Sequence, residues 1–331
     1  MRPRWRAVGA LVARRLALAV PVLLVVSVGL FGLVAVSPFD PVRAYLGDRA
    51  VVTSQETRSA LAERLGTDAG FGERWVTWVQ ATASGDLGTS LVFRQPVADV
   101  VSDRLGWSLL LSGTGLGVGL VLALVLALVL GTLAAVRPDG LLDRVVSTTA
   151  ATVESVPAFF LGLLALWLFA VVLGLAPAGG LTDPGRLATA EQVLRHLWLP
   201  AGVLAVLSTP WLVLFARQSL RQALAEDYVA GALARGVSPR RVVLTHAAPA
   251  AAPGFLALLG ARLPELVTGA VLIETVFSWP GVGAASVRAA LAVDVSLLAA
   301  LTVLGTAAVL LGTLLADALA ALLDPRVATD G

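Results

Sequence analysis

The sequence predicts an all-α fold, a polytopic membrane protein with six transmembrane helices, and two observations carry that prediction. Hydrophobic residues make up 57% of the 331 residues and charged residues only 14%. Several apolar runs also approach or exceed the roughly 20 residues that cross a bilayer as a helix. Composition excludes other classes. With no cysteine, the chain forms neither disulfides nor thiolate metal centres, and its two histidines leave a thin ligand supply for zinc or iron. All 24 basic residues are arginine. A chain without lysine makes no P-loop lysine contact to ATP and no lysine Schiff base, so if ATP drives it, another chain hydrolyses the ATP. The arginine bias, with abundant Ala, Gly and Val, fits a GC-rich bacterial genome.

Taken in order, the first apolar run, residues 16–36, follows Arg2, Arg4, Arg6, Arg14 and Arg15. It is too long for a signal-peptide core and no small-residue cleavage site precedes Ser37-Pro38, so it reads as an uncleaved first helix. Residues 39–106 are polar, with mixed charges, Trp75, Trp78 and turn signals such as Ser84-Gly85-Asp86, and are expected to fold as a small soluble loop domain. Apolar runs then cover 107–136, 156–176, 197–216, 255–277 and 295–323. The expected organisation is therefore a first helix with an extracytoplasmic loop domain (1–106), a five-helix transmembrane domain (107–325) and a short cytoplasmic tail (326–331). Arginines concentrate in the N-terminus, in the turn with Arg137 and Arg144, and in the loop with Arg217, Arg221, Arg235, Arg240 and Arg241. The positive-inside rule places both termini and that loop in the cytoplasm, while a segment as long as 39–106 translocates largely regardless of charge. Prolines at 21, 157, 200, 210 and 264 are expected to break helices, and small residues such as Gly113, Gly115, Gly117 and Gly119 to admit close helix contact.

The loop at 217–253 looks built for docking. Glu226 and Asp227 place negative charge where a helix begins, Arg235 places positive charge near its end, and Gly236 can adopt the left-handed conformation that stops it. Ser238 is a candidate N-cap and Pro239 suits the first position of a second helix. The unit reads as helix, sharp turn, helix. Tyr228, Val229, Ala232 and Leu233 are expected to share one face of the first helix, and a helix this short is marginal in water unless that face packs on something.

Asp227-Tyr228-Val229, Ala234-Arg235-Gly236, Ser238-Pro239-Arg240-Arg241, His246-Ala247 and Pro253 together resemble the cytoplasmic loop of binding-protein-dependent ABC permeases, nearest the dipeptide, oligopeptide and nickel importers. Further stretches resemble the first of the two permease subunits of that family: Ser37-Pro38-Phe39-Asp40-Pro41, Leu175-Ala176-Pro177-Ala178-Gly179-Gly180, Glu274-Thr275-Val276-Phe277-Ser278-Trp279-Pro280-Gly281-Val282-Gly283 and Leu322-Leu323-Asp324-Pro325-Arg326. The resemblance implies a type I importer permease fold in a bacterial plasma membrane. It implies a coupling helix, with Glu226, Asp227, Tyr228, Val229, Ala232, Leu233, Arg235 and Gly236 docking on a cytoplasmic ATPase. It also implies a second homologous permease, ABC ATPase subunits that bind ATP and Mg, an extracytoplasmic solute-binding protein and surrounding lipid. No cofactor belongs to this chain, and no nucleic-acid partner is expected. Ala230, Gly231, Leu233 and Ala250 stand where relatives usually carry basic or polar residues. Di- or oligopeptides are the first reading of the cargo, with nickel or a metal chelate as the alternative.

Three charges remain. Arg262 and Glu265 are spaced to pair across one helical turn; they either line a path for a polar substrate or snorkel to the cytoplasmic interface beside Pro264. Glu274 falls at the outer end of the same predicted helix, where it orders the loop that follows, meets a binding protein, or joins the path. His196 and His246 are expected on opposite sides of the membrane, too far apart for a metal site. The sequence has no nucleophile elbow, zinc-binding helix or aspartate pair, so the chain is not expected to be an enzyme. An ion-driven secondary transporter, the rival class, would need acidic groups near mid-membrane, and no acidic residue falls clearly there.

Overall fold

In the computed structural model, the described residues are 2–37, 42, 46, 53–64, 69–136, 140–251 and 270–323. Among them the regular structure is helical, with one isolated antiparallel bridge between Thr89 and Pro96. We number the helices α1 (Arg2–Val36), α2 (Gln55–Arg64), α3 (Phe71–Ala83), α4 (Val97–Val136), α5 (Leu141–Glu154) and α6 (Ala158–Ala165, continued by a π-helical turn, Leu166–Val172). They are followed by α7 (Ala190–Leu224), α8 (Asp227–Ala234), α9 (Pro239–Val242, continued by a π-turn, Val243–Ala247), α10 (270–276), α11 (Val282–Leu291) and α12 (Val295–Leu323).

Among the described residues, four helices are long and apolar enough to span a bilayer: Val12–Val36, Val97–Leu130, Ala190–Leu224 and Val295–Leu315. Helices α5 and α6 pass the same test only together, as one span bent by 99°. The predicted helix over 255–277 lies outside the described residues except for its last turns, in α10. The described residues thus hold four spans, or five with the bent pair, against the six predicted for the whole chain.

Parallel α4 and α7 form the centre, and their closeness is written in the glycines. A Cβ at Gly115 would sit 2.6 Å from Leu204 Cβ, and one at Gly119 would meet Ala205 O at 3.1 Å and Ser208 Cβ at 3.2 Å. Small residues four apart let helix backbones approach, which is how helices associate where lipid removes the hydrophobic drive. Gly113 and Gly117 face open space, so only half of that predicted set makes close contact. The α4–α7 seam carries two apolar cores. One, toward residues 226–251, gathers Leu130, Leu212, Val213, Leu220, Val243 and Ala247. The other, toward the opposite end, gathers Leu111, Leu197, Leu204, Ile273, Phe277 and Trp279.

Several expectations need correction. Helix α4 begins at Val97, so the expected boundary at 106/107 falls inside it. At about 1.5 Å per residue this 40-residue helix is about 60 Å long, twice the hydrocarbon thickness, and its first turns stand beyond the apolar layer. Residues 141–154, expected as a turn, form α5, whose Asp143 and Ala150 are buried. Prolines 21, 200 and 210 lie inside continuous helices, and only Pro157 of the described ones sits at a break, as the N-cap of α6. Beside Pro210 the hydroxyls of Ser208 and Thr209 bond back to the carbonyls of Leu204 and Ala205 at 2.8 and 2.7 Å. Such side-chain bonds and packed neighbours are what let proline stay within a helix in lipid. Pro264 lies outside the described residues.

Candidate functional site

Helix α8 is capped as its residues demand. Glu226 holds the extended N-cap conformation (φ −72°, ψ 144°), Asp227 lies in the first turn, and Gly236 has φ +81° just past the end. Positive φ costs an L side chain and costs glycine nothing, so this position stops the helix. Val237 N–H then bonds back to Ala232 O at 3.2 Å. Ser238 caps α9 by its backbone (φ −63°, ψ 144°) with Pro239 in the first turn, although its hydroxyl makes no capping bond.

The face of α8 differs from expectation. Val229 and Ala232 are each 1% exposed, because they pack with Val242 of α9, flanked by Leu224 and Val237, in a small core of the loop's own. Tyr228 and Leu233 are 45% and 38% exposed. The reason is geometric. At 100° per residue, 229 and 232 bracket one side of the helix, 228 and 233 lie on its flanks, and 227, 230, 231 and 234 face away. Part of the predicted docking face therefore holds the helix to its own chain. What remains outward is Asp227, Tyr228, Ala230, Leu233 and Arg235, all exposed.

The loop is tied to the bundle just upstream. Arg217, in the last turns of α7, donates Nε and Nη2 to the two carboxylate oxygens of Asp143 on α5, at 2.5 and 2.6 Å. This bidentate geometry is the strong form of the pair, and only 5% of the Asp143 side chain is exposed. Sequence reasoning missed Asp143 because it reads α5 as a turn; the signal was an apolar residue every third or fourth position from Leu141 to Val153.

Of the predicted path residues, Arg262 and Glu265 lie outside the described residues. Glu274 is 1% exposed at the end of α10. Its carboxylate accepts from Ser108 Oγ of α4 at 2.5 Å and from Ala284 N–H of α11 at 2.9 Å, and the same Ser108 Oγ accepts from Val282 N–H at 2.8 Å. Trp279 N–H bonds to Glu274 O at 2.8 Å, while Trp279 Nε1 donates to Trp107 O at 3.0 Å. A Cβ on Gly281 would collide with the Glu274 carboxyl group, and one on Gly283 would lie 2.7 Å from Val271 Cα. The Glu274-to-Gly283 stretch is thus a clasp, in which two glycines let the backbone wrap a buried carboxylate that joins α4, α10 and α11. The carboxylate also borders a cavity of about 440 Å³ whose few polar side chains include Ser108, Ser112, Ser286, Thr302 and Thr306.

Another buried carboxylate, like Asp143, was not singled out from sequence. Asp294, the residue before α12, accepts from Ser90 Oγ at 2.6 Å, Val92 N–H at 3.1 Å and Leu297 N–H at 3.3 Å. It both caps α12 and ties the 86–96 turn to the bundle. The histidines are separate: His196 Nδ1 lies 2.8 Å from Gln192 O, and His246 Nδ1 lies 2.6 Å from Thr245 Oγ1.

The sequence family described as "Binding-protein-dependent transport system inner membrane component" matches residues 127–329. The chain is 30% identical over 319 residues to the oligopeptide transport system permease protein AppB of Bacillus subtilis strain 168, covering 96% of this chain and 99% of that one. It is 33% identical over 290 residues to the di/tripeptide transport system permease protein DppB of Pseudomonas aeruginosa strain UCBPP-PA14, covering 82% of this chain and 84% of that one. The family match takes in the bent α5–α6 pair, the 226–241 turn and the Glu274 clasp, and the full-length relatives extend the likeness to α1, so this chain belongs to the binding-protein-dependent transport system inner membrane components.

Proposed function

We propose that this multi-pass membrane protein is one of two homologous permease subunits of an ATP-driven importer of di- or oligopeptides. It carries six spans, with both termini and the 226–241 turn in the cytoplasm. Family membership and the names of the peptide-transporting relatives support the cargo and the binding protein that delivers it. The arginine distribution supports the orientation. ATP and Mg bind in cytoplasmic ATPase subunits, and this chain is not an enzyme.

One observation carries the mechanism: α8 is anchored by Val229 and Ala232 while its outward side stays open. A helix held from behind moves as a body with what holds it. Force applied by an ATPase at Asp227, Tyr228, Leu233 and Arg235 reaches α7 through Leu224, and α5 through the Arg217–Asp143 pair. Nucleotide binding in the partner then shifts the population between outward-open and inward-open bundles. Glu274 acts in this reading as the clasp that shapes the outer end of the path, together with Arg262 and Glu265 nearer the cytoplasm.

The test is peptide uptake by cells whose own copy is deleted and replaced. Leu233→Asp, which buries a charge only if the helix docks, abolishes uptake of a labelled tripeptide while membrane levels stay at wild type. Normal uptake by that variant refutes docking at α8; uptake of nickel in place of peptide refutes the cargo.

A further inference from the structure

We propose that α3 is a membrane-surface helix of the first span, whose Phe71 and Val76 are covered by lipid rather than by water or protein. The argument begins with where α3 packs. Trp75 Nε1 donates to Ser27 Oγ of α1 at 2.9 Å, and the Trp78 ring lies 5.7 Å from that of Phe31, tilted by 48°. Both partners belong to the apolar stretch Val12–Val36. Arg15, paired with Asp317 of α12, marks one boundary of that span, since a guanidinium stays at the interface. At about 1.5 Å per residue, Ser27 stands about 18 Å and Phe31 about 24 Å along the axis from Arg15, inside a hydrocarbon layer about 30 Å thick. Sliding that layer by one helical turn either way leaves Ser27 inside it. Helix α3 therefore meets α1 below the surface of the membrane, not above it.

The sequence of α3 fits that place. On a helical wheel Trp78, Phe71, Trp75, Val79, Gly72 and Val76 fall on one side, interrupted by Thr82, and Glu73, Thr77 and Gln80 fall on the other. Helix α1 takes the two tryptophans of that side. Phe71 and Val76 stay 49% and 44% exposed, and no residue of α3 is fully buried, so α3 has no protein core of its own. Helix α1 is itself open on its far side, where Val25 and Leu33 are 71% and 68% exposed. Apolar side chains left open beside a spanning helix at this depth face lipid, and tryptophans there match the aromatic belt of membrane interfaces. Amphipathic helices at an interface sink about 5–10 Å, and by the same rise Phe31 and Ser27 stand about 6 and about 12 Å below the far boundary, within reach of tryptophan side chains on such a helix. The soluble loop domain expected over 39–106 is in this part a membrane element.

The chain lacks cysteine, so single labels report unambiguously. The full chain, with whatever subunits purify with it, is spin-labelled at Phe71→Cys, Val76→Cys, Glu73→Cys or Gln80→Cys and placed in phosphatidylethanolamine–phosphatidylglycerol vesicles. Collisions with oxygen, which partitions into lipid, are compared with those of a water-soluble nickel chelate. Oxygen dominates at 71 and 76, the chelate dominates at 73 and 80, and the sign of the depth parameter alternates along the helix. Chelate dominance at 71 and 76 puts α3 in water; shielding from both reagents there puts a second permease or a binding protein on it. Either result overturns the proposal. Gly72→Cys, where a Cβ meets nothing within 4 Å, repeats the lipid-face reading should a variant at 71 or 76 fail to insert.

Discussion

Two carboxylates hidden from solvent show how single residues shape this chain. Glu274 survives burial because Ser108 and backbone N–H groups surround it, and because Gly281 and Gly283 leave room for it. Gly283→Ala forces a Cβ against the Val271 backbone, and overpacking of that kind costs about 1–3 kcal/mol. Thermal unfolding in detergent should show a clear fall in midpoint, and an unchanged midpoint would mean the clasp is looser than described. Asp143 poses a different question, since it is held by a charge. Removing one partner of a buried pair costs about 3 kcal/mol, whereas replacing both by apolar residues is close to neutral. Asp143→Asn should therefore destabilise strongly, and Asp143→Leu with Arg217→Met should recover most of the loss; equal damage in both would deny that the pair acts as a unit. Hydropathy sets Glu274 at a helix end but says nothing of its partners, because Ser108 lies 166 residues away. Asp143 and Asp294 are illegible in the sequence for the same reason: their burial is made by residues distant in the chain.

Helices are where the sequence is most legible, and the misses share a cause. Apolar runs locate the long spans, since hydrophobic length is a local property, and the residue chemistry of 226–239 places both ends of α8 and the start of α9. The reading fails where a helix is amphipathic and starts beside charges: α5 looks like a turn, and the first turns of α4 like loop. It fails also in the direction of α8, because Val242, which buries Val229 and Ala232, belongs to the next helix. That packing divides the consequences of substitution. Val229→Asp should remove the protein from the membrane by destroying a core, while Leu233→Asp should leave its level intact and stop transport. Equal levels and equal loss in both would erase the distinction between anchored and outward faces. Between α4 and α7, Gly119→Leu should be poorly tolerated because Ala205 and Ser208 are already at contact, whereas Gly117→Leu, facing open space, should accumulate as wild type. Membrane protein yield measures the difference.

At the scale of the whole molecule, the structure is a bundle whose two ends are built differently. One end is fastened by buried carboxylates, Glu274 and Asp294, each collecting donors from two or more segments. The other presents α8 on a small hydrophobic mount beside the Arg217–Asp143 tie. A stiff clasp at one end and a mounted handle at the other suit a protein that converts a push on the handle into a change of opening. The six-span arrangement is proposed from hydropathy, and its span over 255–277, with Arg262 and Glu265, is read from the sequence.

The most direct measurement is a cross-link from the outward side of α8. With Leu233→Cys as the sole cysteine, membranes of the native cell are treated with a short thiol- and amine-reactive reagent, and the product is identified by mass spectrometry. The account predicts an adduct with an ATP-binding subunit whose yield changes with added nucleotide. A thiol at position 233 that labels freely with a water-soluble maleimide, at one rate with or without nucleotide and with no protein adduct, would contradict it.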